Sequence, residues 1–269
     1  MAVISLSGWF GGSERDDDEQ NVASLGGCVG TDIQWKIQDE AWNEEVLAAF
    51  GLDYVHMKEV QEENGKFAQF KDKERSRQLA EAIIGTFKKS GIRPFGSVTR
   101  LKDLRSFNRE RKLRLSAYPL NIYSCMFMVR HGFRHQLAGE AQAVLNLDRR
   151  EGTAQAAETA RHYAKTDPNL TDVYEKVLPS PLPEEGLASK TPALQAADFV
   201  AWKILTQEKE RRFSRRSKHV FAHETPVIIW RWSYNVLCLM DAGRGGVWTE
   251  RERKRRVPSA ASRGAGTRE

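Results

Sequence analysis

The alternation of strand-like and helix-like segments is the feature that most constrains how this chain can fold. Short apolar runs alternate with stretches whose apolar residues recur at helical spacing, in the order ββαβαβαβαα. This order predicts a mixed β-sheet flanked by helices. The 269 residues, 40% of them hydrophobic, suffice for one sizeable core. We therefore predict one α/β domain over residues 1–242 and a disordered basic tail over 243–269, where Gly, Ser, Ala and Arg dominate.

The first sixty residues predict a hairpin, a helix and a further strand. Apolar runs at 3–6 and 22–29 end at glycines, which indicates an opening β-hairpin. Asp32 is a candidate N-cap for a helix with apolar positions that continue to Phe50. The segment 52–60 begins with strand formers, so we predict a strand that ends in a loop.

The remaining elements follow from the same patterns. Helical spacing predicts helices at 74–89, 117–129 and 153–165, and a last helix that begins at Pro192. Strands are predicted at 92–101 and at 141–148, where Asp148 stands at the tip. Four prolines make 179–192 a predicted loop, and 227–239 fits a strand or a helix equally well.

The positive charge lies at the C-terminal end. Residues 209–269 carry 15 Lys and Arg against 6 Asp and Glu, whereas the other 208 residues carry 27 against 30. The first basic run contains four arginines that we take as candidate nucleic-acid contacts: Arg211, Arg212, Arg215 and Arg216. A solvated helix end followed by a disordered tail explains the same runs, and we favour that interpretation.

Cysteine usage and hydropathy bear on location. Cys28, Cys125 and Cys238 are odd in number and far apart, which is typical of a reducing cytoplasm. The N-terminus lacks the pattern of a signal peptide, and the longest apolar stretch, 227–240, is too short to cross a bilayer. We predict a cytoplasmic protein without a membrane partner.

Asp198 is the first candidate site residue. In the helix that begins at Pro192, Leu194, Ala197 and Ala201 share one stripe, and Asp198 lies at its edge. A carboxylate that borders a buried stripe must be hydrated, hydrogen-bonded, paired or bound to metal. A half-exposed aspartate that caps a neighbouring loop is an equally good explanation.

His56, Lys58 and Glu59 are a second candidate group, because three ionisable side chains fall within four residues. Taken alone, they have ordinary explanations. A single histidine is usually a satisfied structural residue, and Lys58 with Glu59 is a common kind of surface pair.

Two segments together resemble a known family. Tyr54-Val55-His56-Met57-Lys58-Glu59 and Leu194-Gln195-Ala196-Ala197-Asp198 occur in the order and spacing of the family known as domain of unknown function 3800. That family is bacterial, archaeal and phage-borne, and its fold is regarded as RNase-H-like. The resemblance covers about residues 1 to 207 and implies an RNase-H-like mixed sheet.

The resemblance also implies a site. RNase-H-like nucleases hold two Mg²⁺ or Mn²⁺ ions with carboxylates from a first strand, a later strand and a C-terminal helix. By that correspondence Asp148 and Asp198 are the later-strand and helix ligands. Glu59 is a possible third ligand, His56 and Glu59 are a possible acid/base or outer-shell pair, and Lys58 is a possible nucleic-acid contact.

The chain departs from the family at its first strand. The family has Asp-Glu-Ser-Gly where this sequence has Ser5-Leu6-Ser7-Gly8. Hard cations depend on charged oxygen ligands, so the loss of this acidic pair should weaken a metal site severely. Two hypotheses stay open: a metal-dependent nuclease or phosphodiesterase with a weakened acidic site, and a catalytically inactive relative that binds nucleic acid or a protein.

Overall fold

The computed structural model describes residues 2–9, 22–135, 137, 141–148, 152–167, 171–181, 191–213, 228–233 and 237. Its strands are β1 Ala2–Trp9, β2 Val22–Thr31, β3 Arg93–Arg100, β4 Ala143–Leu147, β5 Val177–Pro181 and β6 Ile228–Trp232. Its α-helices are α1 Asp32–Ala41, α2 Met57–Glu62, α3 Lys73–Ser90, α4 Leu101–Arg111, α5 Ala117–Gly132, α6 Thr153–Thr166, α7 Thr171–Lys176 and α8 Pro192–Phe213. A π-helical turn, Trp42–Ala48, continues α1, and a 3₁₀ segment, Gly65–Lys71, precedes α3. The chain is therefore mixed α/β, as predicted.

The six described strands form one sheet in the order β5-β4-β1-β2-β3-β6. Strand β2 is antiparallel to both β1 and β3, whereas β4, β5 and β6 are parallel to the strands beside them, β1, β4 and β3 respectively. All these strands except β2 consequently run in the same direction. We call the edge at which those five strands end the carboxyl edge.

Helices cover both faces of the sheet, and each face has its own apolar core. On one face α5 and α6 pack over Leu25, Phe95 and Leu145. On the other face α1, α3 and α8 pack over Cys28 and Val98. A sheet buried on both faces explains why β2 is buried along almost its whole length.

Helix α8 crosses the sheet at unusually close range. A Cβ atom on Gly26 of β2 would lie 2.5 Å from the Cα of Ala201 and 2.9 Å from the carbonyl carbon of Val200. Beside it in β3, a Cβ on Gly96 would lie 2.5 Å from the carbonyl oxygen of Leu25. The absence of a side chain at Gly26 lets the backbone of α8 rest directly on β2, and its absence at Gly96 leaves room for the Ile204 side chain of α8.

Most of the predicted elements are confirmed. These are the β1–β2 hairpin, the helices now bounded as α3, α5 and α6, strands β3 and β4, and the start of α8 at Pro192. The undecided segment 227–239 contains strand β6. The first helix is capped one residue earlier than predicted, because Thr31 and Gln34 form a reciprocal capping box.

Other predictions are wrong or incomplete. The segment 52–60 is not a strand: its second half begins helix α2, and the N–H groups of Val55 and Met57 donate to side chains of α8, not to a neighbouring strand. Helices α4 and α7 were not predicted, and β5 extends into the predicted 179–192 loop. The predicted tail, 243–269, lies outside the described residues. Over the part of the chain that is described, no helix is long and apolar enough to span a membrane.

Candidate functional site

Helix α8 holds the Tyr54–Glu59 segment through two side chains. The Oε1 atom of Gln195 accepts hydrogen bonds from the Val55 backbone N–H at 2.9 Å and from the Trp42 indole N–H at 3.0 Å. The Oδ2 atom of Asp198 accepts from the Met57 backbone N–H at 2.8 Å. The two segments that carried the family resemblance therefore contact each other directly.

Asp198 is a hydrogen-bonded, buried carboxylate. Only 6% of its surface is exposed, and Met57 is the first residue of α2. The first N–H groups of a helix have no partner within the helix, and a negative charge is favoured beside them. Asp198 thus binds the backbone of a neighbouring segment, as the capping explanation predicts. It differs from that explanation in being buried and not half-exposed. Its role as a metal ligand stays a prediction.

Glu59 is the centre of a second group. The Tyr54 hydroxyl donates to its Oε2 at 2.6 Å, and Nδ1 of His56 lies 3.3 Å from its Oε1. The side chains of His56 and Glu59 are 42% and 38% exposed. The carboxylate partner orients the imidazole ring of His56 through Nδ1. This geometry suits a group that exchanges a proton with a ligand or with solvent.

The surroundings of Tyr54 disfavour its ionisation. The hydrogen bond to Glu59 raises the pKa of the Tyr54 phenol above its ordinary value, and desolvation and the charges of Glu59 and Asp53 add to the rise. Lys66 lies against the ring, with Nζ 3.9 Å from the ring centroid, and pairs with Asp53 at 2.9 Å. The segment is thus fixed on two sides, by α8 and by the 3₁₀ segment.

This pKa shift predicts a pH dependence of stability. Because the folded-state pKa of Tyr54 is raised, its contribution is fully present below about pH 10 and is lost as the pH rises through the folded value. Between about pH 8 and pH 11 the Tyr54→Phe variant should lose less stability than the wild type. Urea unfolding at several pH values measures this difference.

Glu59→Gln provides the control for that experiment. Since Glu59 is the main cause of the raised pKa, its neutralisation should flatten the alkaline loss in the same way. Profiles that stay parallel for the wild type and both variants would show that the Tyr54–Glu59 hydrogen bond does not form in solution.

Asp148 lies at the carboxyl edge. It follows the last residue of β4, is half-buried, and its carbonyl oxygen accepts from the Thr153 hydroxyl at 3.3 Å. Strand β4 is the parallel neighbour of β1, with Leu6 aligned to Leu147. The first-strand position at which the family has its acidic pair is therefore one strand away from the end of β4.

The described residues do not by themselves fit a divalent metal ion. Within the described ranges, no three His, Cys, Asp or Glu side chains come together in a way that could hold one. Glu59 and Asp198 instead accept hydrogen bonds from Tyr54 and from the Met57 backbone. The assignment of Glu59, Asp148 and Asp198 as ligands of Mg²⁺ or Mn²⁺ stays a prediction from the resemblance.

The structure describes three of the predicted nucleic-acid contacts, which belong to two helices. Lys58 is exposed on α2 and lies 3.8 Å from Glu62. Arg211 and Arg212 fall in the last turn of α8, and Arg215 and Arg216 lie outside the described residues. Their roles also stay predictions.

The roles of Gln195 and Trp42 were not predicted from the sequence. Gln195 is only 2% exposed, and it precedes Asp198 by three residues, which places both on adjacent turns of one helix side. An amide one turn before a buried carboxylate was the available signal. The contact with Trp42 and Val55 has no local signal, because these residues are more than a hundred positions away.

The chain matches no protein-family model, no curated protein and no solved structure.

Proposed function

We propose that this chain is an RNase-H-like protein that binds nucleic acid at the carboxyl edge of its sheet and cleaves it slowly or not at all. The observation that carries the proposal is the joining of its two motif segments by Gln195 and Asp198. A cytoplasmic location belongs to the same proposal, supported by Cys28 and Cys125, which are buried free thiols.

The topology of the sheet supports the RNase-H-like part of the proposal. Strand β1 lies at the centre beside β4, and α8 packs across the sheet. In the proposal, β1, β4 and α8 take the places of the first strand, the later strand and the C-terminal helix that supply carboxylates in RNase-H-like nucleases. Their arrangement in one sheet with a helix packed on it supports that assignment.

The chemistry of the side chains favours binding over cleavage. Ser5 and Leu6 stand where the family has an acidic pair. Asp198 accepts a backbone hydrogen bond, and Glu59 accepts one from Tyr54. A divalent ion needs several charged oxygen ligands at one point, and the described residues do not supply them.

A metal-dependent nuclease or phosphodiesterase is the second candidate function. The half-exposed His56–Glu59 pair favours it, because a carboxylate-oriented histidine at the surface is suited to proton transfer. In this alternative Asp148, Asp198 and Glu59 would hold Mg²⁺ or Mn²⁺, and His56 would exchange the proton.

Restoring the missing carboxylate distinguishes the two functions. We expect the purified chain to show little or no cleavage of single-stranded, duplex or hybrid nucleic acid with Mn²⁺ or Mg²⁺. The Ser5→Asp variant should cleave faster by about tenfold or more, equivalent to about 1.4 kcal/mol of barrier. Ser5→Asn is the matched control, since asparagine has nearly the shape of aspartate but carries no charge.

Variants of Asp148 and Asp198 show which of the two functions is correct. Asp198→Asn in the Ser5→Asp background should abolish the gained activity if both carboxylates act at one centre. Efficient cleavage by the wild type that both Asp148→Asn and Asp198→Asn remove would establish the nuclease alternative. A wild type that neither cleaves nor binds any of these nucleic acids, together with an inert Ser5→Asp variant, would overturn both functions.

A further inference from the structure

A strongly basic surface lies on helix α4 and the residues beside it, far in sequence from the C-terminal basic runs. Residues 100–114 contain seven Lys and Arg against two acidic residues. The rest of the first 208 residues carries 20 Lys and Arg against 28 Asp and Glu. All seven basic residues are exposed. We call these seven the α4 basic surface: Arg100, Lys102, Arg105, Arg109, Arg111, Lys112 and Arg114.

Three of these residues form a stripe along one side of the helix. At 100° per residue, Lys102, Arg105 and Arg109 lie within an arc of about 60°. At 1.5 Å per residue the stripe is about 10 Å long. Leu104 and Phe107 point into the core on the other side of the helix, with 4% and 0% of their surface exposed. The stripe therefore faces solvent.

The surface is built on a fixed backbone. The side chain of Asn108 bonds both the N–H and the carbonyl of Leu115, at 3.0 and 2.9 Å. The Leu113 N–H bonds the Asn108 carbonyl at 2.8 Å, and Leu113 and Leu115 are both buried. Arg114 lies between these two anchored leucines and is held beside α4. A charge pattern on rigid backbone presents a defined shape to a ligand.

The surface begins at the carboxyl edge. Arg100 is the last residue of β3, and α4 starts immediately after it. Asp148 follows β4 at the same edge, three strand spacings away. In the register that aligns Leu147 with Phe95, Arg100 lies five residues beyond Phe95. Strand geometry then separates Arg100 from Asp148 by about 20 Å, roughly six nucleotide steps of one duplex strand.

We propose that the α4 basic surface binds the phosphate backbone of a nucleic acid and directs it along the carboxyl edge toward Asp148. The inference rests on the proposed function for the class of ligand. Evenly spaced cations along a helix neutralise successive phosphates and release their counterions. An anionic membrane fits less well, because α4 turns its large apolar residues, Leu104 and Phe107, into the core and has no apolar face to insert into lipid.

Fluorescence anisotropy with full-length protein tests this surface. The variant Lys102→Gln/Arg105→Gln/Arg109→Gln is compared with Lys36→Gln/Lys73→Gln/Lys88→Gln, which removes the same charge from exposed lysines on α1 and α3. The probes are 20-nucleotide single-stranded, duplex and hybrid oligonucleotides in EDTA, between 50 and 200 mM salt. EDTA separates binding from any metal-dependent cleavage.

The α4 variant should bind about tenfold more weakly or worse, with a salt slope reduced by about 2 to 3. The control should stay within about twofold of the wild type. Equal losses in both variants, or a wild-type salt slope in the α4 variant, would overturn the assignment while leaving the proposed function standing. Loss of binding to phosphatidylserine vesicles with unchanged oligonucleotide binding would overturn it in favour of a membrane. A wild type that binds no probe would overturn both.

Discussion

Replacing Gly26 with valine should lower the free energy of unfolding by about 3 kcal/mol or more. A Cβ atom at this position would lie 2.5 Å from the Cα of Ala201 and 2.9 Å from the Val200 carbonyl carbon. Because these atoms belong to the backbone of α8, they cannot move aside as a flexible side chain would. The helix has to lift from β2, and the packing of Phe199 and Ile204 in the core is lost with it. Urea unfolding followed by circular dichroism measures the change.

Gly85 provides the matched control. It lies inside α3, and a Cβ there would have no atom within 4 Å. Gly85→Ala should therefore stabilise the protein by about 0.5 to 1 kcal/mol, since alanine is the better helix former. An unfolding midpoint for Gly26→Val equal to that of the wild type would show that α8 does not cross the sheet at Gly26.

The second large effect is expected at Gln195. Its Oε1 accepts from two buried donors, Trp42 Nε1 and the Val55 N–H, so Gln195→Leu leaves both without that acceptor. Each buried donor left unpaired costs about 1 to 3 kcal/mol, and we expect a total loss of about 3 kcal/mol. Hydrogen exchange should also rise across 54–59, because the Val55 N–H is no longer bound to α8.

An exposed glutamine separates this effect from a general response to leucine. Gln78 lies on the surface of α3, and Gln78→Leu should change stability by no more than about 0.5 kcal/mol. If Gln195→Leu proves equally mild and exchange across 54–59 stays slow, the hydrogen bonds of Gln195 do not hold the segment in place.

The fold was predictable where the pattern was local. The helical spacing of Leu79, Ile83 and Phe87 predicts helix α3. The helix ends at Gly91, which has the positive φ of 71° that glycine tolerates best. The β1–β2 hairpin likewise follows from two apolar runs bounded by glycines. In these elements the residues that decide the conformation lie within the element itself.

The elements that were predicted wrongly or not at all have identifiable physical causes. Helix α4 has few apolar residues to reveal its period, and Leu104 and Phe107 supply its buried contacts. Pro179 and Pro181 favour a loop, but both belong to strand β5, an outer strand of the described sheet, where missing N–H donors cost little. Segment 52–60 begins with strand formers, yet its backbone is fixed by the N–H groups of Val55 and Met57, which donate to Gln195 and Asp198, 140 and 141 positions away.

The sequence predicted which residues form the candidate site, but not how they are held together. The resemblance pointed to His56, Glu59 and Asp198, and the structure brings their two segments into contact through the Met57–Asp198 hydrogen bond. The sequence places Gln195 one turn before Asp198, but its bonds to Trp42 and Val55 were not predictable, because a tertiary hydrogen bond leaves no periodic trace in the sequence. The chemical roles of these side chains and of Asp148 stay predictions.

Nucleic acid should bind at the carboxyl edge of the sheet. Hydrogen exchange of the full chain, with and without a saturating 20-nucleotide probe in EDTA, measures where it binds. We predict slower exchange in the bound state across 101–115 and around Asp148. Protection confined to residues 209–269, with none in α4 or after β4, would show that the basic C-terminal end alone binds the probe and would contradict binding at the carboxyl edge.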